Sequence, residues 1–164
     1  MLFRSYFTPH EELDSWKTLG WNREDLYIFK GHAEQLAKMV HAGGRVGLGS
    51  HGELQGLGVH WELWMMQSGG LTPFETLRAA TIHGADAIGL SKDVGSLEVG
   101  KLADLQVLDK NPLTDIHNTN TVKYVMKNGR LYDGNNLNEV WPRTKALPPQ
   151  WWWKEDPPAA PVKK

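Results

Sequence analysis

Gly47, Gly49 and Gly52 stand in the G-x-G-x-x-G spacing of dinucleotide-binding loops. Such a loop works only where a strand leads into a tight glycine turn and then a helix whose N-terminus meets a pyrophosphate, with an acidic residue on the next strand for the ribose. A few residues on, His60-Trp61-Glu62 has the His-x-Glu spacing of zinc deaminases, whose glutamate moves protons for a zinc-activated water. That chemistry also needs a paired cysteine motif downstream, and the chain has no cysteine. Thiolate zinc sites, disulfides and cysteine nucleophiles are thereby excluded together, and any metal must be held by His and carboxylates. His60 and Glu62 read better as helix surface, and Trp61, Trp64 and Met65 as core filling than as a pocket lining. His32 and His41 suit solvent or a helix C-terminus, where partial positive charge is favoured.

The elements that must position these residues follow from apolar spacing. Residues 1–21 mix aromatics, charges and Pro9 without a sustained period, an irregular or partly helical lead-in. Asn22 with Asp25 resembles a helix cap, and Leu26, Phe29, Ala33, Leu36 and Val40 recur at helical steps until Gly43 and Gly44 stop them. Arg45–Leu48 then reads as a short buried strand. A second helix is expected over Val59–Ser68, with Val59, Leu63 and Met66 on one face. A third starts at Thr72, which can cap, with Pro73 suited to the first helical position and Glu75 where a capping box wants an acid. Its stripe is Leu77, Thr81, Gly84 and Ile88, and Thr81 and His83 are expected to pack rather than to touch substrate. Two helices in succession leave no strand for the ribose acid, so the dinucleotide fingerprint fails in its context.

After Gly95 the period shortens to that of strands, in "KLADLQVLD" and "TVKYVMKNGRLYD". Asn128-Gly129 is a strong hairpin signal, because both residues tolerate positive φ in a type I′ turn. Leu102–Leu108 is expected to pair in a sheet with the Val122–Tyr132 hairpin. The end of the chain, 141–164, is a Pro/Trp-rich tail in which Trp151, Trp152 and Trp153 are adjacent. Three neighbouring indoles in an extended segment cannot all point one way, so docking on another domain or chain is expected to cover them.

The 164 residues carry 18 basic and 19 acidic side chains, a net charge of −1. No general attraction to nucleic acid or to anionic lipid follows from that balance. No run of about 18 apolar residues suggests a membrane span, and the first residues lack the apolar stretch of a signal peptide, so no targeting signal is read.

"GGRVGLGSHG", "LTPFETLRAATIHGADAIGL", "GSLEVGKLADLQVLDKNPL" and "VKYVMKNGR", in that order, closely resemble the C-terminal part of amidohydrolase-superfamily enzymes, the imidazolonepropionase-like group especially. The resemblance spans roughly Asn22 to Tyr132. It implies an α/β fold in which the chain supplies the last strand and helices of a distorted (β/α)8 barrel, followed by the C-terminal strands of a β-sandwich. Residues 22–94 would be the partial barrel segment and 95–140 the sandwich portion. Asn22–Ala42 would be the barrel-flanking helix before the eighth strand and Arg45–Ser50 that strand. The glycine run would be the loop at its catalytic end, and Leu97–Leu108 and Val122–Tyr132 the returning sandwich strands.

The resemblance further implies a divalent metal, zinc by preference, and hydrolysis of C–N bonds in amides or cyclic amides. The family's His-x-His pair is absent from this sequence, and where the family commonly reads Gly-Thr-Asp the chain has Gly49-Ser50-His51. His51 thus stands at the place of an aspartate that binds metal and carries a proton. An imidazole suits either task, since its unperturbed pKa is about 6.5 and its neutral nitrogen ligates zinc, but one nitrogen cannot do both. Ser50 and Glu53 are neighbours suited equally to turn hydrogen bonding. The implied partners are a small-molecule substrate in the complete enzyme and either the missing N-terminal barrel segment or a second copy of the chain. The isolated chain is expected to be inactive and to hold metal weakly. The alternative is a non-catalytic protein that retains part of the fold for packing or partner binding, with the Trp tail as its contact.

Overall fold

A computed structural model describes residues 7–17, 23, 26–51 and 56–154. Helix α1, His10–Lys17, makes the lead-in partly helical. Helix α2, Phe29–His41, turns Ala33 and Ala37 inward. It begins later than the apolar spacing suggests: Leu26 is 61% exposed and Ile28, which precedes the first turn, makes no side-chain cap. The expected Asn22 and Asp25 cap lies outside the described residues.

Helix α3, Gly58–Ser68, buries Leu63 and Met66 and crosses α2 at very close range. A Cβ placed on Gly69, at the end of α3, would stand 2.1 Å from the carbonyl carbon of Ala33. Helix α4, Pro73–Ala80, has the capping box that its sequence announces. The Glu75 N–H donates to Thr72 Oγ1 at 3.2 Å and the Thr72 N–H to Glu75 Oε2 at 2.8 Å, satisfying two otherwise orphaned donors.

The expected continuous helix through Ile88 is broken at Thr81, where φ −124° and ψ −98° leave helical space and α5, Ile82–Ala87, begins. The Thr81 hydroxyl donates to the Leu77 carbonyl at 2.7 Å, a back-bond of the kind that bends helices. The inferred stripe therefore does not form a core face: Thr81 is exposed and Ile88 is 69% exposed, while Thr76, Ala79 and Ala85 are buried instead. Ala37, Met66, Leu71 and Ala79 make the centre of the helical core, with Leu36, Val40, Val46, Leu48 and Met65 packed around it.

The β half is one antiparallel sheet, β1 Leu105–Leu108, β2 Val122–Lys127, β3 Arg130–Asp133 and β4 Glu139–Trp141, ordered as in the chain. Gln106 pairs with Val125, and Val125 with Tyr132, so the expected pairing of the first strand with the hairpin holds. Asn128 (φ 48°) and Gly129 (φ 74°) form its turn in the left-handed region that their residue types permit. Residues 97–104 are not strand, contrary to the wider expectation. Gly95 and Gly100, at φ 94° and 95°, fold this stretch into turns and leave Leu97 84% exposed. Strand β4 escapes the periodicity because three residues are too few to show one. It is held by the buried carboxylate of Glu139, which accepts from Arg143 Nε at 3.0 Å and NH2 at 2.7 Å. Those bonds hold the Glu139 carboxyl below its ordinary range. Trp151–Lys154 forms a 3-10 turn and not an extended segment, with Trp151 62% exposed and its ring edge-on to Trp152 at 5.5 Å.

No described helix is long and apolar enough to cross a membrane.

Candidate functional site

The segment Gly44–His51 links α2 to the loop before α3. Its burial alternates strictly: Val46, Leu48 and Ser50 are half-buried, while Arg45, Gly47, Gly49 and His51 are exposed. That is the two-residue rhythm of an extended chain with one face on a core. Leu48 is pinned there by its N–H, which donates to the Ala79 carbonyl at 3.1 Å. Gly47 lies against Gly84, to which a Cβ would approach within 3.4 Å. The expected strand over Arg45–Ser50 is nonetheless absent as a strand: the four described strands all belong to the antiparallel sheet, so no neighbouring strand is described that could complete a ladder.

Gly49 and His51 are both exposed, with His51 at the far end, whereas the side-chain direction of Gly47 is closed by Gly84 and Ala87 of α5. Gly49 puts no side chain between solvent and the backbone near that imidazole. Gly52 and Glu53 lie outside the described residues. Helix α3 begins only at Gly58, so the glycine spacing does not feed directly into a helix N-terminus as a pyrophosphate site requires. Among the described residues no group of three or more His, Asp or Glu side chains is placed to hold a metal ion. One exposed imidazole does not suffice for a catalytic zinc, which takes three protein ligands. The described residues therefore do not fit a metal by themselves.

The histidine of the His-x-Glu spacing lies elsewhere than expected. His60 is not on the open surface of α3 but half-buried, with Nδ1 3.2 Å from Thr119 Oγ1 of the 3-10 helix Ile116–Asn120. Trp64, one turn on, donates from Nε1 to the Ile116 carbonyl at 3.2 Å and to Thr119 Oγ1 at 3.3 Å. Its ring lies between two imidazoles, 6.5 Å from His60 and 4.7 Å from His117. Burial pushes the His60 pKa down. This joint ties the helices to the sheet, and its only sequence signal was the four-residue spacing of His60 and Trp64.

Of the other residues weighed, Trp61 is 44% exposed rather than core, Trp64 and Met65 are half-buried, and His32 is exposed. His41, in the last turn of α2, points its Nε2 at Glu75 Oε1, 3.7 Å away. His83 is half-buried on α5.

A family model described as the amidohydrolase family matches residues 22–132, a stretch that contains α2, the glycine-lined segment with His51, the joint and the β1–β3 hairpin sheet. The chain belongs to the amidohydrolase family. Within the family, an imidazolonepropionase of Symbiobacterium thermophilum is 49% identical over 65 residues, 38% of this chain and 15% of the relative. An imidazolonepropionase of Pseudomonas aeruginosa is 59% identical over 39 residues, 24% of this chain and 10% of the relative. Among solved structures, a Xaa-Pro dipeptidase with methionine bound in its active site superposes with a TM-score of 0.57 at 30% identity, over 62% of this chain and 25% of that one. Molinate hydrolase gives 0.55 at 33% identity, over 71% and 30%. These amidohydrolase relatives fit the mixed helix and strand architecture. The chain spans 15% of the length of the first imidazolonepropionase it matches.

Proposed function

We propose that this chain is the C-terminal portion of a metal-dependent hydrolase of C–N bonds in amides or cyclic amides. Residues 22–94 are the last strand and helices of a distorted (β/α)8 barrel, 95–140 the C-terminal strands of a β-sandwich, and 141–164 a tail. The observation that carries the reading is the family match over 22–132 with His51 at the open end of an extended segment. Barrel enzymes do their chemistry at the ends of strands, and Gly49, with nothing within 4 Å of an added Cβ, leaves room near that imidazole for a substrate. In this reading Arg45–Ser50, whose burial alternates residue by residue, is that last strand without its neighbours.

In this reading His51 faces the reacting bond. A neutral imidazole accepts the proton of the attacking water and returns it to the departing nitrogen, as general base and then general acid. The divalent metal, zinc by preference, would take its ligands from beyond the described residues; were His51 to supply one instead, its lone pair would be used and another group would carry the proton. The substrate is a small molecule, and the neighbours that would complete the barrel are a complementary N-terminal segment or a second copy of the chain. The edge of an unpaired extended segment favours such association. A second reading, a partner-binding protein without catalysis, draws on the exposed Trp151 of the tail, whose indoles we propose dock on another domain or chain.

The test is to purify the chain alone and with a separately expressed N-terminal barrel segment of an imidazolonepropionase, then measure zinc content and C–N hydrolysis. Turnover only in the mixture, lost in His51→Ala, is the expected result. Metal-dependent turnover by the chain alone overturns the incomplete-site reading, and no turnover in a mixture that does associate favours the binding protein.

A further inference from the structure

A cavity of about 470 Å³ lies between the C-terminal end of α2 and the outer side of α4 and α5. It opens beside Arg45, at the start of the extended segment, whereas His51 closes that segment six residues later, up to about 20 Å away at full extension. The cavity belongs to the opposite end of the segment from the candidate site. Its volume is in the range of small-molecule sites.

We propose that this cavity binds a small organic monocarboxylate. Val40 and Phe74 give it an apolar wall, and Arg45, Arg78, Glu75 and His83 also line it. The charges are not all paired within the protein. Arg45 is engaged by Asp86, which also accepts from Ser91 Oγ at 3.1 Å. Glu75 is engaged on Oε2 by the Thr72 N–H and hydroxyl, each at 2.8 Å, and faces His41 from Oε1. Arg78 meets no carboxylate among the described residues. Its guanidinium lies over the Phe74 ring, 5.8 Å from the centroid. A ring contact of this kind uses the cation's charge but none of its N–H groups, and the guanidinium fork that is left matches a carboxylate.

The charge pattern also chooses among anions. One unengaged guanidinium suits a single negative charge, and the Glu75 carboxylate on the same wall repels a dianion about twice as strongly as a monoanion, which disfavours phosphate dianions. Apolar surface on Val40 and Phe74 rewards a ligand whose body is a ring or a short hydrocarbon, which inorganic anions lack.

The experiment titrates the full chain with benzoate by calorimetry and by side-chain NMR, with benzamide and inorganic phosphate as the neutral and the dianionic probes. Saturable binding of benzoate is expected, at least tenfold tighter than either probe and at least tenfold weaker in Arg78→Gln. Resonances of Phe74 and His83 are expected to shift and that of His51 to stay. Should Arg78→Gln fail to fold, the wild-type shifts and the three-probe ranking decide. Equal binding of benzoate and phosphate, unchanged binding in a folded Arg78→Gln, or shifts absent from Phe74 and His83 would each overturn the proposal. The outcome is independent of the hydrolase reading, since neither His51 nor turnover enters the measurement.

Discussion

Two glycines separate the tolerance of this fold at single positions. A methyl group on Gly69 would meet the carbonyl carbon of Ala33 at 2.1 Å and its Cβ at 2.6 Å, both atoms of a helix that cannot withdraw without opening the core. Gly69→Ala is expected to destabilise the chain by about 1–3 kcal/mol, the usual cost of overpacking, read as a lower urea midpoint. Gly49 has nothing within 4 Å of an added Cβ, and Gly49→Ala is expected to change stability by no more than about 0.5 kcal/mol. If Gly49→Ala nevertheless lowers turnover in a reconstituted enzyme, the bare face beside His51 serves substrate and not folding. The two variants thus distinguish close packing from an open approach.

Capping and burial act at the scale of whole elements. Helix α4 starts from a reciprocal pair of bonds between Thr72 and Glu75, and Thr72→Ala is expected to cost about 1 kcal/mol, the typical loss of a side-chain cap. The Thr72 N–H, with the Thr72 hydroxyl and His41 after it, holds the Glu75 carboxyl below its ordinary pKa of 4.5. A carboxyl lowered on folding adds stability above its unfolded pKa and loses it as pH falls through the folded value. Unfolding of α4 is therefore expected to ease only below pH 4.5, and Glu75→Gln should remove that acid limb from an amide-exchange profile of the helix.

His60 carries the opposite charge type. Burial between α3 and the 3-10 helix lowers its pKa from 6.5, so the folded chain prefers it neutral and the unfolded chain binds its proton more readily. Its contribution is present above pH 6.5 and is lost as pH falls through the folded value. NMR titration of the His60 ring should give a pKa below 6.5, and amide protection at Ile116–Asn120 should fall as it protonates. A pKa at or above 6.5 would count against the buried joint.

For the molecule as a whole, the decisive contact is Trp64. Its indole N–H reaches the Ile116 carbonyl and Thr119 Oγ1, joining α3 of the helical core to the 3-10 helix that connects β1 and β2. Trp64→Phe keeps an aromatic ring and removes the donor, while the Ile116 carbonyl still accepts from the Thr119 hydroxyl at 2.9 Å. A loss of about 0.5–1.5 kcal/mol is expected, with urea unfolding of helices and sheet, followed by circular dichroism and by exchange in β2, separating into two transitions. A single unshifted transition would show that other contacts couple the halves.

By itself the sequence determined the features that depend on neighbours in the chain. Thr72, Pro73 and Glu75 specify a helix start whose bonds all close within four residues, and Asn128-Gly129 specifies a turn by the φ values those residues accept. Arg45–Leu48 was legible as an extended segment, whereas its alternating burial, with His51 exposed at the end, was not. Whether that segment is a strand was not legible either, because a ladder requires hydrogen-bonding partners from other elements. Tertiary structure also decided that the helix breaks at Thr81, where the hydroxyl finds the Leu77 carbonyl, and that Ala85 rather than Ile88 is buried beyond it. It decided that His60 faces Thr119 across 59 positions, and that Arg45 and Arg78 line one cavity. Such meetings are made by chain segments distant in sequence, and a one-dimensional period of three, four or two residues carries no information about which of them come together.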